Sequence, residues 1–395
     1  MEDKKILGVN RNIFFLGLVS LFNDFSAEMV QSVMPIFLTV VLGAPAEFVG
    51  FLEGFADAIA SILKLFSGWF SDKIGKRKLP AVMGYALSVG VRPLLSLVGN
   101  FWQVFELRVV DRIGKGFRDA PRDALIAESV PKNELGKSFG FHRSLDTLGA
   151  TLGPLVALII LPLINNNYRH LFLIAFFIGL GAIFSFVFVK EKRPVILLSN
   201  PVAKPKLNFA LLKSNKRFAL VVLSIFIFGL GTLPILLAIL RAKEVGLGVS
   251  GVPLAYFIYN LTFVLVAIPL GRLADKIGER TVIASGFFLA ATAYFGLAGA
   301  ASVLVVVASF VVLGIYSAAT DGLMRALAAK HLTDNILATG QGFLNMAVGF
   351  SSLVAGIIGG VLWTNIGSSA AFLYAGTFSI IGLILFLIMT RNKYV

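Results

Sequence analysis

One segment occurs twice in this chain, and it constrains the fold more than any other feature. Gly68-Trp-Phe-Ser-Asp72-Lys73-Ile-Gly75-Lys76-Arg77-Lys78 returns 203 positions later as Gly271-Arg-Leu-Ala-Asp275-Lys276-Ile-Gly278-Glu279-Arg280, each time after a hydrophobic run of similar length. Both copies hold a Gly, an Asp four residues on, a cation directly after it, a second Gly, and basic residues beyond. The pattern reads as a tight hairpin between two membrane helices. Its glycines permit close helix approach and a turn, its Asp can cap or pair near a helix end, and its cations hold the loop at the cytoplasmic face.

Composition supports a membrane setting for that unit. The chain is 57% apolar and 14% charged with a mean hydropathy of +0.87, whereas soluble domains carry about 25% charged residues. Apolar runs long enough to span a bilayer as helices lie at 12–42, 47–70, 79–99, 101–126, 135–163 and 170–190, then at 218–241, 249–271, 281–300, 302–329, 339–363 and 368–390. Between the sixth and seventh runs lies a basic segment broken by Pro194, Pro201 and Pro205. This predicts an all-α polytopic protein with an N-terminal six-helix bundle at 1–190, a cytoplasmic linker at 191–217 and a C-terminal six-helix bundle at 218–395. The net charge of +14 sits in short loops between apolar runs, so it reads as a topology signal placing both termini in the cytoplasm, not as a nucleic-acid surface. There is no cysteine, which excludes disulfides and thiolate chemistry. The first residues lead into the first run without a small-residue cleavage site, so no removable signal peptide is expected.

The duplicated hairpin resembles the loop signature G-x-x-x-D-K/R-x-G-x-R/K of the major facilitator superfamily of secondary transporters. The halves agree further: Asp123-Ala-Leu-Ile-Ala-Glu128 aligns with Arg325-Ala-Leu-Ala-Ala-Lys330, and Gly140-Phe141 with Gly342-Phe343. The repeat is therefore parallel, six helices each. The resemblance implies twelve transmembrane helices as two bundles related by pseudo-twofold symmetry, working by alternating access about a path near the bilayer midplane. It also implies gating roles for Gly68, Asp72, Lys73, Gly75 and Arg77 and for Gly271, Asp275, Gly278 and Arg280, with Asp72 expected to engage a cation such as Arg122. Gly149-Ala-Thr-Leu-Gly153-Pro154 resembles the family's antiporter pattern G-x-x-x-G-P, which favours export; Ala355-Gly-Ile-Ile-Gly359-Gly360 reads as the matching seam of small residues.

Ionisable residues inside spans cost about 2.5–3.5 kcal/mol each at a helix centre, so they normally face a cavity or a partner. The first half holds most of them. Asp24 and Glu28, like Glu53 and Asp57, are four apart and share a helix face, and four converging carboxylates would suit proton coupling. In the fourth run, Arg112-Ile-Gly-Lys115-Gly116 resembles the family's R-x-x-Q-G pattern with Lys115 where glutamine is usual. Arg92, Arg108, Arg112 and Arg143 are candidates for binding an anionic or hydrogen-bond-accepting substrate group, although Asp111 and Asp146 lie within a turn of Arg108 and Arg143. Tyr256, Asn260 and Asn345 supply an aromatic and amide lining from the second half. Gly136-Lys137-Ser138 lacks the glycine and strand of a phosphate loop. Three histidines, at 142, 170 and 331, are too scattered for a metal cluster. The sequence thus predicts no enzyme, metal or cofactor, but a transporter, expected as a monomer in a bacterial or archaeal plasma (inner) membrane, whose partners are a small-molecule substrate, protons and lipids. The leading expectation is proton-coupled transport of a small organic solute; the alternatives are uptake of an anionic solute or siderophore-like metal chelate, drug efflux with the acids as ligands, and a non-transporting scaffold.

Overall fold

The computed structural model describes residues 5–74, 76–131, 134–191, 215–248, 251–330, 332 and 337–390. A two-stranded hairpin, β1 (Lys5–Ile6) and β2 (Val9–Asn10), leads into α1 (Arg11–Ile36), which continues through a π turn at Phe37–Val41. Then follow α2 (Ala46–Ile74), α3 (Lys78–Leu95), α4 (Phe101–Ser129), α5 (Leu135–Leu163) and α6 (Tyr168–Val187). The second half holds α7 (Lys216–Gly229), α8 (Ile235–Glu244), α9 (Val252–Ile277), α10 (Glu279–Ala298), α11 (Val303–Ala329), α12 (Leu337–Asn365) and α13 (Ser368–Met389). Among the described residues, eight helices are long and apolar enough to cross a membrane: α1, α5, α6 and α9 to α13. The charges of α4 keep it out of that group although it is among the longest helices.

The predicted seventh span, 218–241, is two helices. Gly229, Gly231 and Pro234 explain the break, since glycine weakens a helix and proline has no amide hydrogen to continue one. Tyr374 of α13 donates its hydroxyl to the Leu230 carbonyl at 2.6 Å, supplying a partner where the helix ends.

The chain forms two compact units, residues 1–34 with 62–205 and residues 35–61 with 206–395. Residues 35–61 group with the second unit, whereas the expected bundle 1–190 assigns them to the first half. Missing side chains explain the grouping. A Cβ at Gly50 would strike the Gly356 carbonyl, one at Gly54 would lie 2.8 Å from the Leu353 Cα, and one at Gly360 would lie 2.6 Å from the Glu47 Cα, so the first half of α2 lies backbone against backbone along α12. In the first unit, Gly84 and Gly114 do the same for α3 and α4, where a Cβ on either would sit 2.6 Å from the other's carbonyl oxygen. Its apolar core joins Val9, Ile13 and Leu16 to Tyr85, Ile126 and Phe186.

Candidate functional site

The interior of the first unit is charged, and its hub is a neutral amide. Asn23 of α1 is completely buried. Arg92 of α3 donates from Nη2 to the Asn23 carbonyl at 3.1 Å and to Asn23 Oδ1 at 2.9 Å. Arg118 of α4 donates from Nη1 to the same Oδ1 at 3.3 Å and to Ser88 Oγ at 3.0 Å, with its guanidinium 4.6 Å from the Tyr85 ring centre. Hydrogen bonds to charged groups are worth about 1.5–3 kcal/mol each, so Asn23 ties α1, α3 and α4 together. Gly179 of α6 leaves room for Arg92 Nη1.

Around this hub run further ionic contacts. Arg108 donates to Gln31 Oε1 at 2.6 Å and lies 3.6 Å from Asp111. Asp119 receives Lys64 at 3.2 Å, Arg118 at 3.7 Å and Arg122 at 3.8 Å, and Arg122 also binds Asp123 at 2.9 Å. On α4 the residues 111, 115, 118 and 122 fall at helical spacing, which turns this stripe toward neighbours and lets a charged helix pack inside the unit.

Beside the hub, two carboxyl groups meet. Asp24 accepts from Asn23 Nδ2 at 2.8 Å, and its carboxyl is a hydrogen-bonding neighbour of the Asp146 carboxyl on α5. Asp146 also accepts from Ser20 Oγ at 2.6 Å and from Arg143 Nη1 at 2.7 Å. The two helices approach closely here because α5 carries Gly149 and Gly153 against α1. A Cβ at Gly153 would lie 2.6 Å from the Met29 nitrogen, and one at Gly149 would strike the Leu21 carbonyl. The Gly149, Gly153 and Pro154 pattern is thus the seam that brings Asp146 to Asp24.

The structure gathers some predicted residues and separates others. Asp24 and Glu28 lie in the first unit, while Glu53 and Asp57 lie on the part of α2 that belongs to the second, so the four carboxylates do not converge within either unit. Asp57 accepts from Ser352 Oγ of α12 at 3.3 Å, and Glu53 is buried. Arg92, Arg108 and Arg143 each engage a partner of their own unit, and Arg112 stands on α4 between Arg108 and Lys115. Tyr256 of α9 is buried with its ring 5.9 Å from that of Tyr259, whose hydroxyl lies 2.8 Å from Ser317 Oγ on α11. Asn260 is half-buried on α9 and Asn345 half-buried on α12.

Of the first hairpin copy, Gly75 and the side chains of residues 68–74, Asp72 and Lys73 included, lie outside the described residues, and so does the expected contact of Asp72 with Arg122. Arg77 pairs with Glu128 at the end of α4 at 3.2 Å. The second copy departs from its expected reading. A Cβ on Gly271 would meet open space among the described residues, so no close helix approach within them needs that glycine. Asp275 is exposed and has no ion pair among the described residues. Gly278, at φ 91°, does make the turn, and the helix end is held by Arg280, which donates to Thr390 Oγ1 at 2.9 Å and to the Leu387 carbonyl at 2.7 Å on α13.

Asn23, Arg118, Ser20 and the pairing of Asp146 with Asp24 were not singled out by the sequence reading. Asn23 stands directly before Asp24, and Arg118 lies at helical spacing with Asp111, Lys115 and Arg122, a stripe that marks it in the sequence.

Long apolar helices around a buried ionic network are the build of a multi-pass integral membrane protein. The Major Facilitator Superfamily model matches residues 16–267 and 224–394, and the chain belongs to that family. It is 34% identical over 389 residues to an uncharacterized MFS-type transporter of Methanocaldococcus jannaschii, covering 96% of this chain and 95% of that one. It is 28% identical over 296 residues to the multi-drug resistance efflux pump PmrA of Streptococcus pneumoniae, 71% of each chain. Among solved structures, a POT family transporter in complex with a thioalcohol conjugated peptide matches with a TM-score of 0.82 at 16% identity, over 99% of this chain and 98% of that one. The nucleoside transporter NupG matches with a TM-score of 0.75 at 15% identity, over 96% and 99%. The all-α transporter fold is therefore that of the family; where twelve spans were expected, the described residues hold thirteen helices, eight of them long and apolar enough to cross a membrane, with the expected seventh span broken in two.

Proposed function

We propose that this transporter exports a small organic solute in exchange for protons, with Asp24 and Asp146 as the pair that carries the proton. The observation behind this reading is the meeting of their carboxyls between α1 and α5. Two carboxyl oxygens share a hydrogen bond only while one of the groups is protonated, and Ser20 and Arg143 hold Asp146 from its other side. Loss of the shared proton sets two negative charges against each other and favours a change in how α1 and α5 pack. Export is supported by the Gly149, Gly153 and Pro154 seam and by the likeness to an efflux pump. Glu28, Glu53 and Asp57 remain further proton-carrying candidates; Arg112, with Arg92, Arg108 and Arg143, is proposed to meet a polar group of the solute, and Tyr256, Asn260 and Asn345 its apolar body. The chain is read as a monomer of a prokaryotic plasma membrane, built as six plus six helices with both termini cytoplasmic.

A second reading, proton-driven uptake of an anionic solute, is favoured by the seven cations of α3 and α4, Arg92, Arg108, Arg112, Lys115, Arg118 and Arg122 with Lys78, against the five acids Glu106, Asp111, Asp119, Asp123 and Glu128 on the same helices. One set of experiments separates the two. A thermal-shift screen of solute libraries on the purified chain supplies a ligand, and proteoliposomes then give its direction of flux. Asp24→Asn should abolish accumulation driven by a pH gradient while counterflow survives. A variant that still concentrates the solute overturns the assignment of the carrier.

A further inference from the structure

The N-terminal hairpin builds a second site, whose lining residues take no part in the contact of Asp24 with Asp146. Leu7 and Gly8 both have positive φ, 49° and 75°, as a two-residue hairpin turn requires. Lys137 of α5 donates to the Gly8 carbonyl at 2.7 Å, and Val9 is buried in the apolar core of the first unit. The hairpin is thus fixed against the unit, and it walls a cleft of about 470 Å³ lined by Lys5, Ile6, Arg11, Phe15 and Phe188.

The lining divides by chemistry. Arg11 lies 5.6 Å from the Phe15 ring centre, and no carboxylate pairs with it among the described residues. Lys5 has one long contact with Glu134, 3.5 Å, on an exposed surface, which competes weakly for its charge. Below the cations, the rings of Phe15 and Phe188 stack 4.8 Å apart, and Phe184 meets Phe188 edge-on at 5.3 Å. From there an apolar stripe runs down α6 through Phe184, Leu180 and Phe177, exposed by 66%, 40% and 68%. Residues three and four apart share one helix face, so the stripe is continuous with the cleft. In a membrane protein such a face meets acyl chains, and a cation pair at the end of the spans α1 and α6 lies at headgroup depth. Leu7, 78% exposed at the tip of the hairpin, suits the same interface.

We propose that this cleft binds an anionic phospholipid, its phosphate held by Arg11 and Lys5, its glycerol region over Phe15 and Phe188, and one acyl chain along the outer face of α6. A free phosphate would use the cations alone and have no need of the aromatic floor or the stripe.

Native mass spectrometry of the full chain, released from micelles doped with phosphatidylglycerol or with phosphatidylcholine, tests the assignment. The chain should keep phosphatidylglycerol at least about fivefold more often than phosphatidylcholine, a preference worth about 1 kcal/mol. Arg11→Gln with Lys5→Gln should remove the preference. Should that double variant fold poorly, Arg11→Gln alone serves, since Arg11 has no ion pair among the described residues to lose. Millimolar glycerol 3-phosphate should not displace the lipid. Equal retention of the two lipids, an unchanged preference in the variants, or displacement by glycerol 3-phosphate would each overturn the proposal.

Discussion

The two units solve the problem of a membrane interior in different ways. The first buries Asn23, Arg92, Arg108, Arg118, His142 and Asp146, of which Arg92 and Arg118 bond to Asn23, Arg108 to Gln31, and Asp146 to Ser20 and Arg143. In the second, the buried polar residues among those described in 206–390 are serines, and Thr320 and Thr390, many of which return their hydroxyl to a carbonyl of their own helix, as Ser224, Thr320, Ser351 and Ser379 do. Its core is aromatic: Phe228 and Phe287 stack at 3.5 Å, and Phe287 meets Phe386 at 5.2 Å. The buried carboxylate of that unit among the described residues, Glu53, arrives on the segment 35–61 of the first half. A repeat that began as one unit has thus kept its helices while exchanging what fills them. Charge chemistry needs fixed partners, and the first unit supplies them; the second offers surfaces whose energy lies in shape.

The contrast predicts where each unit breaks. Phe287 is fully buried between two other rings, and Phe→Ala in such a core costs about 3–5 kcal/mol. Phe287→Ala should therefore lower the thermal midpoint in detergent most, while Phe287→Leu should recover much of the loss. An Ala variant as stable as the parent would mean that this core is not what holds the unit.

In the first unit the corresponding residue is polar. Asn23→Ala removes two hydrogen bonds, one from each of two buried guanidiniums, and should cost on the order of 3 kcal/mol. Part of that loss falls on Arg92, which keeps only the backbone carbonyl of residue 23, so Asn23→Ala combined with Arg92→Met should destabilise by less than the sum of the single changes. Strict additivity would show that Arg92 does not depend on Asn23.

These two cases also explain what could be read from the sequence. Twelve apolar runs, the doubled hairpin and the parallel repeat were legible because each is a local pattern: length sets spans, and a motif displaced by 203 positions needs no structure to be seen. The break in the seventh span had its own signals in Gly231 and Pro234, overridden by the length of the apolar run. The site was legible only as an inventory of charges. That Asn23 holds two arginines, or that Asp146 turns to Asp24 as well as to Arg143, depends on which helices the glycine seams bring together. Gly50 and Gly356 illustrate the same limit, since nothing in either segment names the other, yet their contact carries Glu53 and Asp57 into the second unit.

The smallest expected effect concerns the hairpins themselves, where the repeat has reversed its charges. In the first unit a cation of the hairpin, Arg77, pairs with an acid at the end of α4, Glu128, at 3.2 Å; in the second an acid of the hairpin, Glu279, pairs with a cation at the end of α11, Lys330, at 2.6 Å. Glu128 and Lys330 are the aligned positions of the two halves, so one tie has been kept with its polarity exchanged. Both pairs reach solvent, with Glu128 and Lys330 side chains 46% and 58% exposed, and exposed pairs contribute about 0–1 kcal/mol. Lys330→Glu alone places two acids together and should cost less than about 1 kcal/mol. Adding Glu279→Lys restores the pair in the sense used by the first unit, leaves the net charge unaltered and should return the thermal midpoint to that of the parent. The gap between single and double variants should close in about 1 M salt, where screening acts over about 3 Å. A double variant no more stable than the single one would show that the polarity of this tie is fixed, with Arg280, which holds the end of α13 from the adjacent position, as the residue that an added lysine at 279 would repel.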